Sequence, residues 1–283
     1  MKQLVIISGK GGTGKSTIAA SFAEIVKNKM IADCDVDAPN LHILLGGKKV
    51  SEEIFKGAKE AVIDQAKCLK CGLCRDVCRF DAISDEIEII SLKCEGCGAC
   101  IQVCPINAIK LEEVKTGYTY LSETSCGKFS HALLDAGAEG SGKLVTAVRK
   151  KADENAENED YLIIDGSPGI GCVVIASLTG TDAALIVTEP TQSGLSDLQR
   201  ALDLTEHFKI KTYICVNKYD INSEITKEIE AYCNKRNYEV IGKIPFDPRI
   251  VDDLREMRTP ISSGNVAFTN VINQMWDRIR ADI

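Results

Sequence analysis

Four apolar runs recur along the chain: "LVII" at Leu4–Ile7, "YLIID" at Tyr161–Asp165, "AALIV" at Ala183–Val187 and "TYICV" at Thr212–Val216. They lack the apolar/polar alternation of a half-exposed strand, and so predict parallel strands buried on both faces. The segments between them, at residues 16–27, 172–178, 194–208 and 223–236, read as crossover helices. This alternation predicts an α/β fold with a doubly wound, mostly parallel sheet, whose sites lie at the carboxyl ends of the strands. The pattern breaks from about Gln65 to Glu113, where short cysteine-rich loops replace it. The expected organisation is therefore one α/β domain in two parts, residues 1–64 and 114–283, around an insertion at 65–113. Near the C-terminus, Ile272, Met275, Trp276 and Ile279 share one helical face, which predicts a helix packed on the sheet. The charges beside them, Asp277, Arg278, Arg280 and Asp282, cancel, which argues against a membrane anchor.

The 283 residues are 45% hydrophobic and 27% charged, enough to bury a large core. A net charge of −7 argues against a surface built to wrap nucleic acid. There is no run of 18 apolar residues, and the N-terminus reads as a strand entering a glycine loop, so a cytoplasmic protein is expected. The acidic stretch from Ala152 to Asp160 reads as a solvated helix end and loop.

Cysteine usage changes the picture most. Eight of the thirteen cysteines fall in two copies of Cys-x2-Cys-x2-Cys-x3-Cys, offset by 26 residues: Cys68, Cys71, Cys74 and Cys78, then Cys94, Cys97, Cys100 and Cys104. This is the two-cluster bacterial ferredoxin spacing, in which the fourth cysteine of each copy reaches the other cluster. The expected sets are Cys68, Cys71, Cys74 and Cys104 on one [4Fe–4S], and Cys94, Cys97, Cys100 and Cys78 on the other. Zinc is the competing metal, but it would leave one cysteine of each triplet unused. Arg79 follows Cys78 where ferredoxins carry proline, which loosens the turn or adds positive charge beside one cluster. A scattered cysteine such as Cys34, Cys215 or Cys233 reads as a small buried apolar residue.

"VIISGKGGTGKST" satisfies Gly-x4-Gly-Lys-Ser/Thr directly after an apolar strand and before a helix. The predicted phosphate cradle is Gly9, Gly11, Gly12, Thr13, Gly14, Lys15, Ser16 and Thr17. Its backbone N–H groups and helix N-terminus face phosphate oxygens, and the Ser16 hydroxyl serves Mg²⁺. A second match to the glycine-lysine pattern, Gly137 to Lys143, ends in Leu144 rather than a hydroxyl residue and follows no buried strand. It is not expected to bind nucleotide.

With Lys10, the loop "KGGTGKST" resembles the deviant phosphate loop of the MinD/Mrp/nitrogenase-reductase superfamily of dimeric P-loop ATPases. The resemblance implies ATP and Mg²⁺ as cofactors, and a dimer, of like chains or of related ones, in which Lys10 reaches the partner's nucleotide. "DCDVDAPN" looks like the first switch, which implies that Asp35 orients the attacking water and Asp37 lies toward the Mg²⁺ shell. "IIDGSPGIG" is similar to the second switch, with Asp165 toward the metal and Gly169 near the γ-phosphate. "VNKYD" and "IPFDP" resemble the adenine side, where Asn217 would bond the base and the Pro245 loop would close over it. A cassette inserted after the first switch resembles the MinD-type ATPases with an inserted ferredoxin domain, and "SGKLVTAVR", "DGSPGIGC" and "VTEPTQSGL" look like that subfamily too.

The leading expectation is an ATPase whose dimer closure gates electron transfer through two ferredoxin-type clusters to a redox partner. An iron–sulfur carrier is the alternative, although the Cys-x2-Cys of Mrp-type carriers is absent from the ATPase body. MinD-like spatial positioning is the third. Finally, Cys172 stands where the nitrogenase reductase resembling this chain holds a cluster ligand, and Cys126 is the candidate second ligand. Two of each from two subunits would hold a further bridging [4Fe–4S].

Overall fold

The computed structural model describes residues 1–283. Its first strand, β1 (Lys2–Ser8), leads into α1 (Lys15–Ile25), β2 (Lys29–Asp33) and the short α2 (Leu41–Leu45). Strands β3 (Lys48–Phe55) and β4 (Ala58–Ile63) precede two short helices, α3 (Leu73–Val77) and α4 (Ala99–Gln102). Next come β5 (Ile109–Val114), β6 (Gly117–Thr124), β7 (Gly127–Leu134), α5 (Gly142–Asn155) and β8 (Tyr161–Pro168). The remainder alternates as α6 (Cys172–Leu178), β9 (Ala183–Thr188), α7 (Gln192–His207), β10 (Lys211–Asn217), α8 (Ser223–Lys235) and β11 (Glu239–Ile244). Helices α9 (Pro248–Arg255) and α10 (Val266–Arg280) complete the chain.

Nine strands form one sheet in the order β11-β10-β9-β1-β8-β2-β7-β6-β3. The four apolar runs are β1, β8, β9 and β10. They pair in parallel at its centre, with Leu4–Ile7, Ala183–Val187 and Tyr213–Val216 fully buried. Helix α10 lays Ile272, Met275, Trp276 and Ile279 into the same core as α1. The second glycine-lysine run, Gly137 to Lys143, leads into α5, whose N-cap Ser141 accepts from the Leu144 N–H. No helix is long and apolar enough to cross a membrane.

The chain divides into two compact units. The first comprises residues 1–53, 119–133 and 140–283, and the second residues 54–118 and 134–139. The second unit reaches beyond 65–113 because β4 and β5 close it as an antiparallel pair from Ala58–Val114 to Ile63–Ile109. Its own core gathers Ala61, Ile83, Ile87 and Ile109 around Cys74 and Cys100.

Within the first unit, His131 of β7 stacks on His42 of α2 with ring centroids 5.5 Å apart and lies against Phe129 and Tyr120. Burial, aided by the neighbouring His42, pushes the His131 pKa down to about 4. Between about pH 6.5 and 4 the unfolded chain takes up this proton and the folded chain does not, so stability falls on acidification. The expected loss between pH 7 and pH 5 is about 2 kcal/mol, and His131→Gln should remove that difference in urea melts at the two pH values.

Candidate functional site

Strand β1 ends at Ser8, and the loop that follows turns sharply enough to start α1 at Lys15. Gly14, the N-cap, has φ 88°, and a Cβ there would also run into the Asn217 amide, so only glycine fits. The loop, the carboxyl end of β2 and residues of α9 and α10 surround an open cleft of about 510 Å³. Gly11, Gly12, Gly14, Lys15, Ser16, Thr17, Asp35, Asp37 and Asn217 line it. Gly9 does not; its backbone packs against Asp197 of α7.

The charge in the cleft is concentrated on Lys15, which is almost wholly buried. Its Nζ lies 2.6 Å from Asp165 Oδ1 and 3.1 Å from Asp35 Oδ2. Burial works against its charge, but Asp165 and then Asp35 outweigh that, and the pKa is raised. Asp35 is itself pushed above the usual carboxylate range by burial, with Lys15 opposing. Beside the cleft, two buried polar atoms lack hydrogen-bond partners, Asp165 Oδ2 and Thr13 Oγ1. A lone pair and a hydroxyl left unpaired in a buried site are costly, and Mg²⁺ with a nucleotide phosphate would satisfy both. The residues therefore fit ATP and Mg²⁺.

Other sequence-flagged residues hold local partners. Lys10 turns to α7, with its Nζ 3.3 Å from Thr191 Oγ1, 3.2 Å from Ser193 Oγ and 3.7 Å from Glu189 Oε2. Glu189 also pairs with Lys218. Asp37 Oδ1 accepts from the Gly140 N–H at 3.0 Å. Asn217 lines the cleft and donates its Nδ2 to the Thr13 carbonyl at 2.8 Å, which braces the loop. Gly169, with φ 95°, donates its N–H to Ser8 O at 2.8 Å, tying the second switch to β1. Pro245 does not line the cleft; Ile250, Val251 and Leu254 of α9 and Phe268 of α10 form that wall.

In the second unit, the two cysteine motifs build a repeat. Gly72 and Gly98 both adopt positive φ, at 84° and 77°, to start α3 and α4. One small pocket is lined by Cys68, Cys71, Cys74 and Cys104, and another by Cys94, Cys97, Cys100 and Cys78. The fourth thiol of each motif thus faces the other motif's triplet. Backbone N–H groups point at the sulfurs: Ala82 at Cys78 (3.4 Å), Ala108 at Cys104 (3.2 Å), Lys70 at Cys68 (3.4 Å) and Ala61 at Cys94 (3.4 Å). No three His, Cys, Asp or Glu side chains converge tightly enough to hold a single metal ion.

The sequence profile of the CobQ/CobB/MinD/ParA nucleotide binding domain matches residues 4–261. The chain belongs to this family. The mostly parallel nine-stranded sheet with its phosphate loop is that nucleotide-binding fold. An uncharacterized protein of Methanocaldococcus jannaschii is 33% identical over 98% of this chain and 96% of its own length. A second uncharacterized protein of the same organism is 32% identical over 89% of this chain and 90% of its own. An iron-sulfur cluster carrier protein of Pyrococcus abyssi is 27% identical over 87% of this chain and 74% of its own. Among solved structures, MinD complexed with Mg-ADP from Pyrococcus horikoshii superposes with TM-score 0.59 at 17% identity, covering 98% of this chain and 95% of that one. The MinC:MinD complex of Aquifex aeolicus gives TM-score 0.59 at 20% identity, covering 100% of this chain and 97% of that one.

Within this MinD-type body, two sequence expectations need correction or addition. Cys126 and Cys172 do not meet. Cys172 is exposed at the start of α6, just past the carboxyl end of β8. Cys126 lies in the β6–β7 turn beside Lys29, the first residue of β2, which pairs with Tyr161, the first residue of β8. A strand the length of β8 separates the two ends of the sheet by about 20 Å. One chain therefore cannot offer both thiols to one cluster. Asp33, which the sequence reading passed over, holds the first switch: its Oδ1 accepts from Asp35 N–H at 3.0 Å and its Oδ2 from Leu41 N–H at 3.2 Å. An aspartate ending a strand reads as a turn residue in sequence, and only the fold shows what it anchors.

Proposed function

We propose that the chain is an ATP-driven iron–sulfur protein, in which nucleotide-dependent pairing of two subunits gates electron transfer through two [4Fe–4S] clusters to a partner. The observation that carries the reading is the sorting of eight cysteines into two quartets around separate apolar cavities. A single zinc ion needs four ligands within about 2.3 Å of one point, whereas these thiols surround a space. The donor set fits a four-iron cube in each cavity, and such cubes supply one-electron chemistry. The N–H groups aimed at Cys68, Cys78, Cys94 and Cys104 stabilise sulfur in its anionic form.

In the cleft, Lys15 would neutralise the phosphates of its own nucleotide, and Ser16 and Asp165 would hold Mg²⁺. Asp35, freed from Lys15 when phosphate takes its place, orients the attacking water, with Asp33 fixing its backbone. Asp37 stands toward the metal shell, Gly169 toward the γ-phosphate and Asn217 toward the base, over which the Pro245 loop would close. Lys10 leaves Glu189 and reaches the partner subunit's nucleotide. The partner is a second copy or a related chain; that one organism holds two relatives of nearly full length supports a mixed pair.

The carrier reading has one observation in its favour, the similarity to proteins named iron-sulfur cluster carriers. Incubation of the iron-loaded chain with a cluster-free ferredoxin and MgATP separates the two. Iron retained on this chain after re-isolation is the expected result; ATP-dependent movement of iron to the acceptor would establish the carrier instead.

A further inference from the structure

The repeat in the second unit is not symmetric at its surface. Residues 26 apart correspond closely: α3 to α4, Gly72 to Gly98, Asp81 (φ 49°) to Asn107 (φ 52°), and the Ala82 N–H on Cys78 to the Ala108 N–H on Cys104. The loop between the first two cysteines of each copy breaks the rule. In the second copy this loop lies under β4. The Ala61 N–H of that strand points at Cys94 Sγ, and a Cβ on Gly96 would run into the Lys59 carbonyl oxygen.

In the first copy the matching position is Lys70, which has the same left-handed backbone, φ 51° against 59°, and carries a full side chain exposed to solvent. No strand covers it. The segment corresponding to β4 is the tight turn Ser84–Glu88, closed by the Ile87 N–H on Ser84 O and the Ser84 N–H on Glu88 O. Leu69 is 68% exposed and Leu73 48% exposed beside it, where the second copy has Glu95 and Ala99. A leucine held in water in place of a glutamate is unfavourable unless the face is covered at some stage of function. Lys67 and Lys70 give that face a cationic rim, with Lys67 only loosely paired to Asp64 at 3.4 Å.

We infer that the Leu69–Lys70–Leu73 face is the docking surface for an acidic electron-transfer protein, which occupies over the first copy the place that β4 occupies over the second. Electrons leave the chain there, through the quartet Cys68, Cys71, Cys74 and Cys104, whose cavity Leu69 and Leu73 border. The inference rests on the iron–sulfur reading above. Small apolar contacts with a charged rim are the mark of transient redox encounters, in which rim charge sets the association rate.

The test uses the full-length, anaerobically prepared chain, reduced with dithionite and freed of excess reductant, with an acidic rubredoxin as acceptor. One electron leaves the chain for each ferric centre reduced to ferrous, and no proton moves. Bleaching of the rubredoxin at low ionic strength gives the second-order rate. Lys70→Glu should slow it about tenfold, an effect that shrinks in 0.5 M salt as the Debye length falls to a few ångströms. Lys93→Glu, the same charge reversal at the place in the second copy that matches Lys67, should leave the rate within about twofold. Equal slowing in both variants, or none from Lys70→Glu, would overturn the inference while leaving an iron-replete chain to support the iron–sulfur reading. A chain that holds no iron would overturn both.

Discussion

Lys15→Ala is expected to lose ATP affinity by about 100-fold or more, while Lys10→Ala still binds ATP and loses most of its turnover. The two lysines are five residues apart in the same loop but stand in different company. Lys15 is buried between Asp165 and Asp35, and on the proposed reading it would give up these carboxylates to Mg²⁺ and take the phosphates in exchange. Its removal leaves buried carboxylates, Asp33 among them, without a counter-charge, so the empty variant should also be destabilised by about 3–5 kcal/mol. Lys10 is partly exposed and rests on Thr191, Ser193 and Glu189, outside the lysine–aspartate cluster. Its loss leaves the subunit's own phosphate cradle intact. Isothermal titration with a non-hydrolysable ATP analogue, paired with phosphate release, checks the division. Equal loss of affinity in both variants would show that Lys10 serves its own nucleotide.

The central strands and the phosphate loop were legible because their signal is local. An unbroken apolar run and a glycine spacing need no tertiary knowledge. The same is true of the cysteine quartets, whose crossed arrangement around two cavities follows the spacing. What escaped depends on partners distant in sequence. Strand β2 is fully buried but begins with Lys29 and ends with Asp33, so its pattern does not announce a central strand. The apolar wall of the cleft comes from α9, a short helix with one cleft-facing side, and no motif marks it. The brace that Asn217 gives the loop through Thr13 is a contact across 204 residues that no motif marks. Cys126 is a candidate ligand only by resemblance, and the β6–β7 turn sends it to the amino ends of the strands.

The second large effect concerns metal content. Anaerobically prepared protein should hold about eight iron and eight sulfide per chain, since two four-iron cubes use all eight cysteines of the repeat. Cys74→Ala and Cys100→Ala, each removing a buried thiol from a different quartet, should each leave about four iron. Retention of eight iron in either variant would show that the quartets are not the ligands. Stoichiometric zinc in the wild-type chain would show the same. The fold of the nucleotide unit does not require these thiols, so ATP binding should survive in both variants.

Electron paramagnetic resonance of the dithionite-reduced chain, with and without MgATP, tests the central claim most directly. A nucleotide-gated redox protein should show reduced [4Fe–4S] signals whose line shape or reduction midpoint changes when MgATP binds, and Lys15→Ala should show the same signals without the change. Signals that stay identical with MgATP in a chain shown to bind it, or a chain with no iron–sulfur signal at all, would contradict the account.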